Sequence, residues 1–294
     1  MKKIFLLLVM MLTSCGAGSF DLSNLCDGGT CNVNVNVNFT ATQPDSTSGT
    51  CGNGVIESGE ECDDGNVDVC DGCENCNLQK SLHVPASDYV HFDDLDDVLS
   101  NSTDECYEIW AKVSNTPDHV TILSSATDSD NGHFFIQCIE NTTLRIVTLN
   151  GGSSTIASSG ETCADNNWHH YAGCRTTSGS DITLTLFFDG TLVATQMGNI
   201  STLSSPDNVL VGGYGSSIDG LGGYVDEVRI SDSLRYTSNF TPERFHTSDA
   251  HTVALYHFNT SASTIVDSSG HSHTGTGVST SLVDDDGFGN LYCY

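Results

Sequence analysis

The chain has 294 residues, 38 of them acidic and only 9 basic, for a formal net charge of −29 at neutral pH. A field of that sign repels phosphate backbones and anionic headgroups, which excludes nucleic acid and electrostatic docking on lipid as partners. It leaves divalent cations and uncharged or basic ligands. Thirteen cysteines point to an oxidising compartment, where disulfides persist.

Met1-Lys2-Lys3 is a positive start, and the apolar run at 4–12 is too short to span a bilayer. Leu12-Thr13-Ser14-Cys15 then resembles a bacterial lipobox. The resemblance implies a lipoprotein signal peptide at 1–14, lipidation of Cys15, and outer-membrane residence, because Gly16 is not the Asp that retains such proteins at the inner membrane. A plain secretory leader is the alternative. Residues 15–50 form a flexible tether rich in Ser, Thr, Asn and Gly, in which Cys26 and Cys31 are placed to close a small loop. Loss of Lys2 and Lys3 takes the charge to about −31. Loss of Cys15 to lipid leaves an even twelve cysteines for disulfides.

Residues 51–79 hold Cys51, Cys62, Cys70, Cys73 and Cys76 in a setting that begins Cys51-Gly52-Asn53-Gly54 and continues Cys62-Asp63-Asp64-Gly65. This stretch resembles a myxobacterial-type cysteine-rich repeat. Cys70 occupies a position where that pattern often has Gly, and the gap between Cys73 and Cys76 is one residue short, so the pairing does not transfer. A module this small buries little core and depends on cross-links worth roughly 2–4 kcal/mol each. Its acids, Glu57, Glu60, Glu61, Asp63, Asp64, Asp68 and Asp71, lack the alternation of an EF-hand loop and are expected to be turn residues.

Beyond the repeat, strands are expected at 89–92, 106–113, 120–124, 134–139, 168–175, 224–231 and 253–258. Thr183 to Phe188 alternates with period two, and Asp189-Gly190 supplies residues that tolerate the positive φ of a tight hairpin, returning as Thr191 to Thr195. A second hairpin is expected from 143–149 through Asn150-Gly151-Gly152 to 155–157. Helix is confined to 94–99 and a turn after Thr241-Pro242-Glu243. So many short strands at close spacing predict an all-β, two-sheet antiparallel sandwich.

Residues 81–277 then resemble a laminin G-like jelly roll of the concanavalin A-like lectin/glucanase superfamily. The pieces that carry the likeness are Asp88-Tyr89-Val90, Glu108-Ile109-Trp110-Ala111-Lys112, Trp168-His169-His170, Phe188-Asp189-Gly190, Gly223-Tyr224-Val225-Asp226-Glu227-Val228-Arg229-Ile230, and Ala254-Leu255-Tyr256-His257-Phe258 before Asp267-Ser268-Ser269-Gly270. Residues 278–294 remain as a tail carrying Cys293. The family likeness implies Ca²⁺ as cofactor, with Asp88, Asp226 and Asp267 on positions of recurrent family acids. For Asp226 the competing role is to cap backbone amides.

Within the sandwich, Cys106, Cys138, Cys163 and Cys174 are expected to supply two bridges. Catalysis finds no support: glycanases need two cooperating carboxylates, and Asp226-Glu227 are neighbours whose side chains would point to opposite faces of a strand. His169 and His170 are expected to pack structurally, and His271 and His273 to lie in a loop. Three functions stay open: a non-enzymatic surface module binding glycan or extracellular protein, a structural or adhesion spacer, and a degenerate polysaccharide hydrolase. Grouping of Tyr214, Tyr224 and Tyr236 on one rim would favour glycan stacking.

Overall fold

The computed structural model describes residues 50–57, 77–95, 102–115, 119–126, 132–150, 153–199, 209–214 and 217–284, together with 60, 62, 63, 65, 73, 74 and 99. The chain divides into two compact units, 1–50 with 57–59, and 51–56 with 60–294. The first lies almost wholly outside the described residues, as do Cys15, Cys26, Cys31, Cys70, Cys76 and Cys293.

Twenty strands are described in the second unit. In chain order they are β1 (Cys73–Glu74), β2 (Asn77–Leu78), β3 (Lys80–Val84), β4 (Val90–Phe92), β5 (Asp104–Lys112), β6 (His119–Ala126) and β7 (Gly132–Ile139). There follow β8 (Thr143–Asn150), β9 (Ser153–Ser159), β10 (Trp168–Ser178), β11 (Asp181–Phe188), β12 (Thr191–Asn199), β13 (Val209–Val211) and β14 (Gly213–Tyr214). The last are β15 (Ser217–Ile218), β16 (Gly223–Ser231), β17 (Thr252–Tyr256), β18 (Thr264–Ile265), β19 (Gly275–Gly277) and β20 (Ser281–Asp284). Residues 96–98 of the expected helix at 94–99 lie outside the described residues; Leu99 N donates to Leu95 O.

Two antiparallel sheets make the sandwich. The first runs β12-β11-β10-β5-β16-β3-β20, with β17 also on β16, and the second runs β18-β19-β4-β13-β6-β7-β8-β9. Strand β20 falls in the stretch read from the sequence as a tail, yet it pairs with β3. Alternation decides what lies between the sheets: Tyr107, Ile109 and Ala111 of β5, and Ile182, Leu184 and Leu186 of β11, all enter one buried core with Leu144 and Ile146 of β8. Tyr107 stacks on Phe134, and Phe92 on Tyr256, each with ring centroids 4.1 Å apart. Each such aromatic pair adds about 0.5–1.5 kcal/mol to the burial of its rings.

The hairpin expected at Asp189-Gly190 forms with φ of 47° and 72°, the conformation a two-residue turn of this hand requires. Gly190 is also pressed against a neighbouring segment: a Cβ there would lie 2.1 Å from Phe240 O. Strand β16 departs from regular alternation. Asp226 pairs with Trp110 and Arg229 with Glu108, so the chain bulges between them, with Glu227 at a φ of 49°. Asp226 and Glu227, expected from alternation to point to opposite faces, are both buried, and Glu227 reaches the amide of His246 under the covering segment.

Two bridges form within the sandwich. Cys106–Cys174 joins directly opposed residues of β5 and β10, and Cys138–Cys163 ties β7 to the loop before β10. Upstream, Cys62 pairs with Cys73, and Cys51 is also bridged. Asp63 holds the turns of that region by accepting the amides of Gly52, Asn53, Gly54 and Gly65. Desolvation raises its carboxyl, but these four donors hold it below the usual range. This is the turn role expected for Asp63.

Candidate functional site

Each sheet has an outer face, and the two differ. Cys106, Glu108 and Trp110 of β5, with Trp168, His170, Ala172 and Cys174 of β10, alternate away from the core and are nonetheless buried. The cover is residues 232–249, an irregular segment that packs Leu234, Tyr236, Phe240 and Phe245 onto this face. It is fastened along its length: Arg235 N donates to Cys106 Sγ (3.2 Å), Phe240 N to Gly190 O (2.9 Å), Trp110 Nε1 to Glu243 O (2.9 Å) and His246 N to Glu227 Oε2 (2.7 Å).

Under the cover lies a polar cluster. Glu108 Oε1 accepts from Arg229 Nε at 2.6 Å and its Oε2 from the Tyr236 hydroxyl at 2.8 Å. His170 Nε2 and His246 Nε2 approach the same Oε2 at 3.4 and 3.9 Å. Neither imidazole makes a hydrogen bond through its ring nitrogens. Glu108, His170 and His246 present three ligand atoms within 4.8 Å of one another.

Burial penalises the Glu108 carboxylate, but His246, His170 and Arg229 together hold it far below the ordinary range, so it is ionised. Burial lowers His170, with Glu108 opposing. Arg229 is raised because the adjacent Glu108 outweighs its desolvation. No sugar reaches this cluster while the cover is in place, so Glu108, Asp226 and Glu227 cannot flank a glycosidic bond in this conformation.

The acids singled out in the sequence occupy separate places. Asp88 accepts from Ser87 Oγ at 2.9 Å. Asp226 Oδ1 accepts the amide of Glu227 within the bulge. Asp267 is filled by its own loop, taking the amides of Leu255 and Ser269 on Oδ1 and Ser269 Oγ and the His273 amide on Oδ2. Among the described residues, no group of three metal-ligating side chains contains any of them. Nor do the three tyrosines share a rim: Tyr214 packs with Phe135, Tyr224 with the two tryptophans, and Tyr236 with Phe187 and Phe240. His170 packs edge-on to Trp110, while His169 is clamped between Asp189 (2.7 Å) and Asp165 (3.2 Å).

The outer face of the second sheet carries a different pattern. Register places Thr121, Gln137 and Arg145 side by side on β6, β7 and β8. Arg145 Nε donates to Gln137 Oε1 (3.0 Å), Gln137 Nε2 to Thr121 Oγ1 (3.2 Å), and Thr121 Oγ1 to Asp219 Oδ2 (2.9 Å). His119 joins at Asp219 Oδ2, 3.1 Å away. Beside this polar ladder stand Phe135, Val147, Leu149 and Tyr214, then Ile156 of β9, 40% exposed. Arg145 is half-buried, and its terminal nitrogens make no hydrogen bond among the described residues.

Glu108, His246, Arg145 and Asp219 were not singled out in the sequence. An acid amid the apolar residues of β5 was the available signal for Glu108, whereas His246 and Asp219 lie on segments without periodicity.

A family model of the concanavalin A-like lectin/glucanases superfamily matches residues 85–238. Among solved structures, a candidate carbohydrate-binding protein from Bacteroides ovatus aligns with a TM-score of 0.52 at 13% identity, covering 71% of this chain and 61% of its own length. A heptameric SAP-like pentraxin from Limulus polyphemus gives 0.42 at 16% identity, covering 54% of this chain and 78% of that one. The CBM40 of a Ruminococcus gnavus IT-sialidase, solved with α2,3 sialyllactose, gives 0.44 at 16% identity, covering 54% and 94%. At these identities the likeness is one of fold.

Proposed function

Since the chain belongs to the concanavalin A-like lectin/glucanases superfamily, we propose that it is a non-enzymatic binding module whose ligand, a glycan, lies on the outer face of the second sheet. The observation that carries this is the Arg145–Gln137–Thr121–Asp219 ladder beside Tyr214, Leu149 and Ile156. Thr121 and Gln137 are buried and hold Arg145 in place from below, so the groups open to a ligand are the half-buried Arg145 and Asp219 with the adjoining strip of Leu149, Tyr214 and Ile156, which suits the carbon face of a sugar. Such a surface combines apolar contact with a few fixed polar groups, as ligand sites generally do. The first sheet cannot serve, because residues 232–249 cover it. The fold shared with a candidate carbohydrate-binding protein supports a carbohydrate as the ligand class.

The setting we propose is the outer membrane, with the cysteine-rich repeat at 51–79 and lipid on Cys15 linking the sandwich to its surface. We place calcium at Asp88, whose half-buried carboxylate accepts one side-chain bond, whereas Asp226 and Asp267 already hold backbone amides. A glycan array probed with the full chain, with and without calcium, tests the main proposal. Binding that Arg145→Ala weakens on the order of tenfold or more, the loss of one or two hydrogen bonds to a charged group, is the expected result. An array without hits, or hits indifferent to Arg145→Ala, overturns it in favour of a protein ligand or a spacer.

A further inference from the structure

We propose that Glu108, His170 and His246 form a buried zinc site that clamps residues 232–249 onto the first sheet. Two of the ligands come from adjacent strands of that sheet, β5 and β10, and the third from the covering segment. Zinc bound by imidazole nitrogen and carboxylate oxygen at about 2.0–2.1 Å in a tetrahedron sets its ligand atoms about 3.3–3.4 Å apart. The Glu108 Oε2 to His170 Nε2 distance is 3.4 Å, and the corresponding distance to His246 Nε2 is 3.9 Å. All three atoms lie within 4.8 Å of one another, so the His246 ring must draw inward to close the set, leaving the fourth corner to water.

The unsatisfied imidazoles are the independent observation. His170 and His246 are 0% and 2% exposed, and none of their ring nitrogens makes a hydrogen bond of good geometry, the nearest carboxylate oxygens standing at 3.4 Å from His170 Nε2 and at 3.9 Å from both nitrogens of His246. A buried polar group without a partner costs about 1–3 kcal/mol, and here two such groups converge on one carboxylate oxygen. Proteins keep that arrangement where something else completes it. Two nitrogen donors and one oxygen fit zinc; calcium takes oxygen ligands, so this site is distinct from the calcium proposed at Asp88. The surrounding charge is mixed: Arg229 and Arg235 stand at the other oxygen of Glu108, at 2.6 and 3.9 Å, and oppose a dication, while Glu227 and Glu243 near His246 and buried Asp226 on the same strand offset them. The outer shell is fixed, since Tyr236 donates to Glu108 and Glu227, itself bonded to His257, holds the amide of His246.

The test is the metal content of the full-length protein after refolding with zinc and exhaustive removal of loosely held ions. One zinc per chain is expected, falling to none in His170→Gln and His246→Gln, while His271→Gln keeps it. Because the buried variants can misfold, the wild-type protein is also loaded with cobalt(II), whose visible spectrum reports geometry and ligand type. Tetrahedral bands without thiolate charge transfer support the assignment. A metal-free wild type, a thiolate or octahedral cobalt spectrum, or folded histidine variants that retain zinc would each overturn it.

Discussion

Replacement of Arg175 by Met isolates one buried charge whose effect can be worked out in advance. Arg175 and Glu105 are directly opposed on β10 and β5, both fully buried, with Arg175 Nη2 donating to Glu105 Oε1 at 2.7 Å. Removing one partner of a buried pair leaves the other charge uncompensated and costs about 3–5 kcal/mol. In a sandwich of this size each kcal/mol moves the melting temperature by about 2–4 °C, so Arg175→Met should melt roughly 6–20 °C lower. Glu105→Leu should fall by a similar amount. The double variant removes both charges and fills the space with apolar atoms, so it should return to within about 1–2 kcal/mol of the wild type or exceed it. Urea denaturation of all four proteins, with the adjacent Cys106–Cys174 bridge intact, closes the cycle. If the double variant loses the full sum of the two single losses, the pair is not coupled and the reasoning is wrong.

Further expectations concern the anchor, the ion and pH. Cys15→Ala should move the protein from the membrane fraction to the soluble one; continued fractionation with membranes would contradict lipidation. Calcium at Asp88 should raise the melting temperature relative to chelator, and Asp88→Asn should abolish the difference; identical transitions in the wild type end that assignment. Burial lowers His169, but Asp189 and Asp165 outweigh it and raise its pKa above the ordinary value. The stability it confers is therefore complete below about pH 6.5 and is lost as pH rises through the raised folded value. The gap in melting temperature between wild type and His169→Ala should narrow as pH rises above about 6.5, and a widening gap would refute the assignment.

Local chemistry and global packing agree in the stretches of the fold that were legible in the sequence. Thr183 to Phe188 alternates because one face meets the core, and Asp189-Gly190 turns because both residues accept positive φ. The same periodicity places Cys138 and Cys174 on strands. The bulge at Glu227 was not legible, since nothing in Gly223 to Ile230 marks the extra residue that swings its carboxylate toward His246. The covering segment was hidden for another reason: residues 232–249 have neither helical nor strand period, and their place is set by contacts to Gly190, Trp110 and Cys106 that are remote in the chain. Without the cover, Glu108 and His170 look like polar residues on a solvated face. Arg145 looks that way too, and only the cross-strand register reveals its ladder.

The pairing of β3 with β20 has a mechanical consequence. Lys80 and Asp284 are Cα partners, so the polypeptide enters and leaves the sandwich at one point on one edge. Tension applied between those ends does not shear the two strands past each other. It opens Asp284 from Lys80, then Val283 from Ser81, then Leu282 from Leu82 and Ser281 from His83, one rung at a time. A ladder loaded in this way yields at low force, like a zipper. A pull between residue 80 and the face bearing Arg145 must instead separate sheets that share a continuous core. The fold thus resists load applied between residue 80 and the Arg145 face and gives way to load applied between residues 80 and 284.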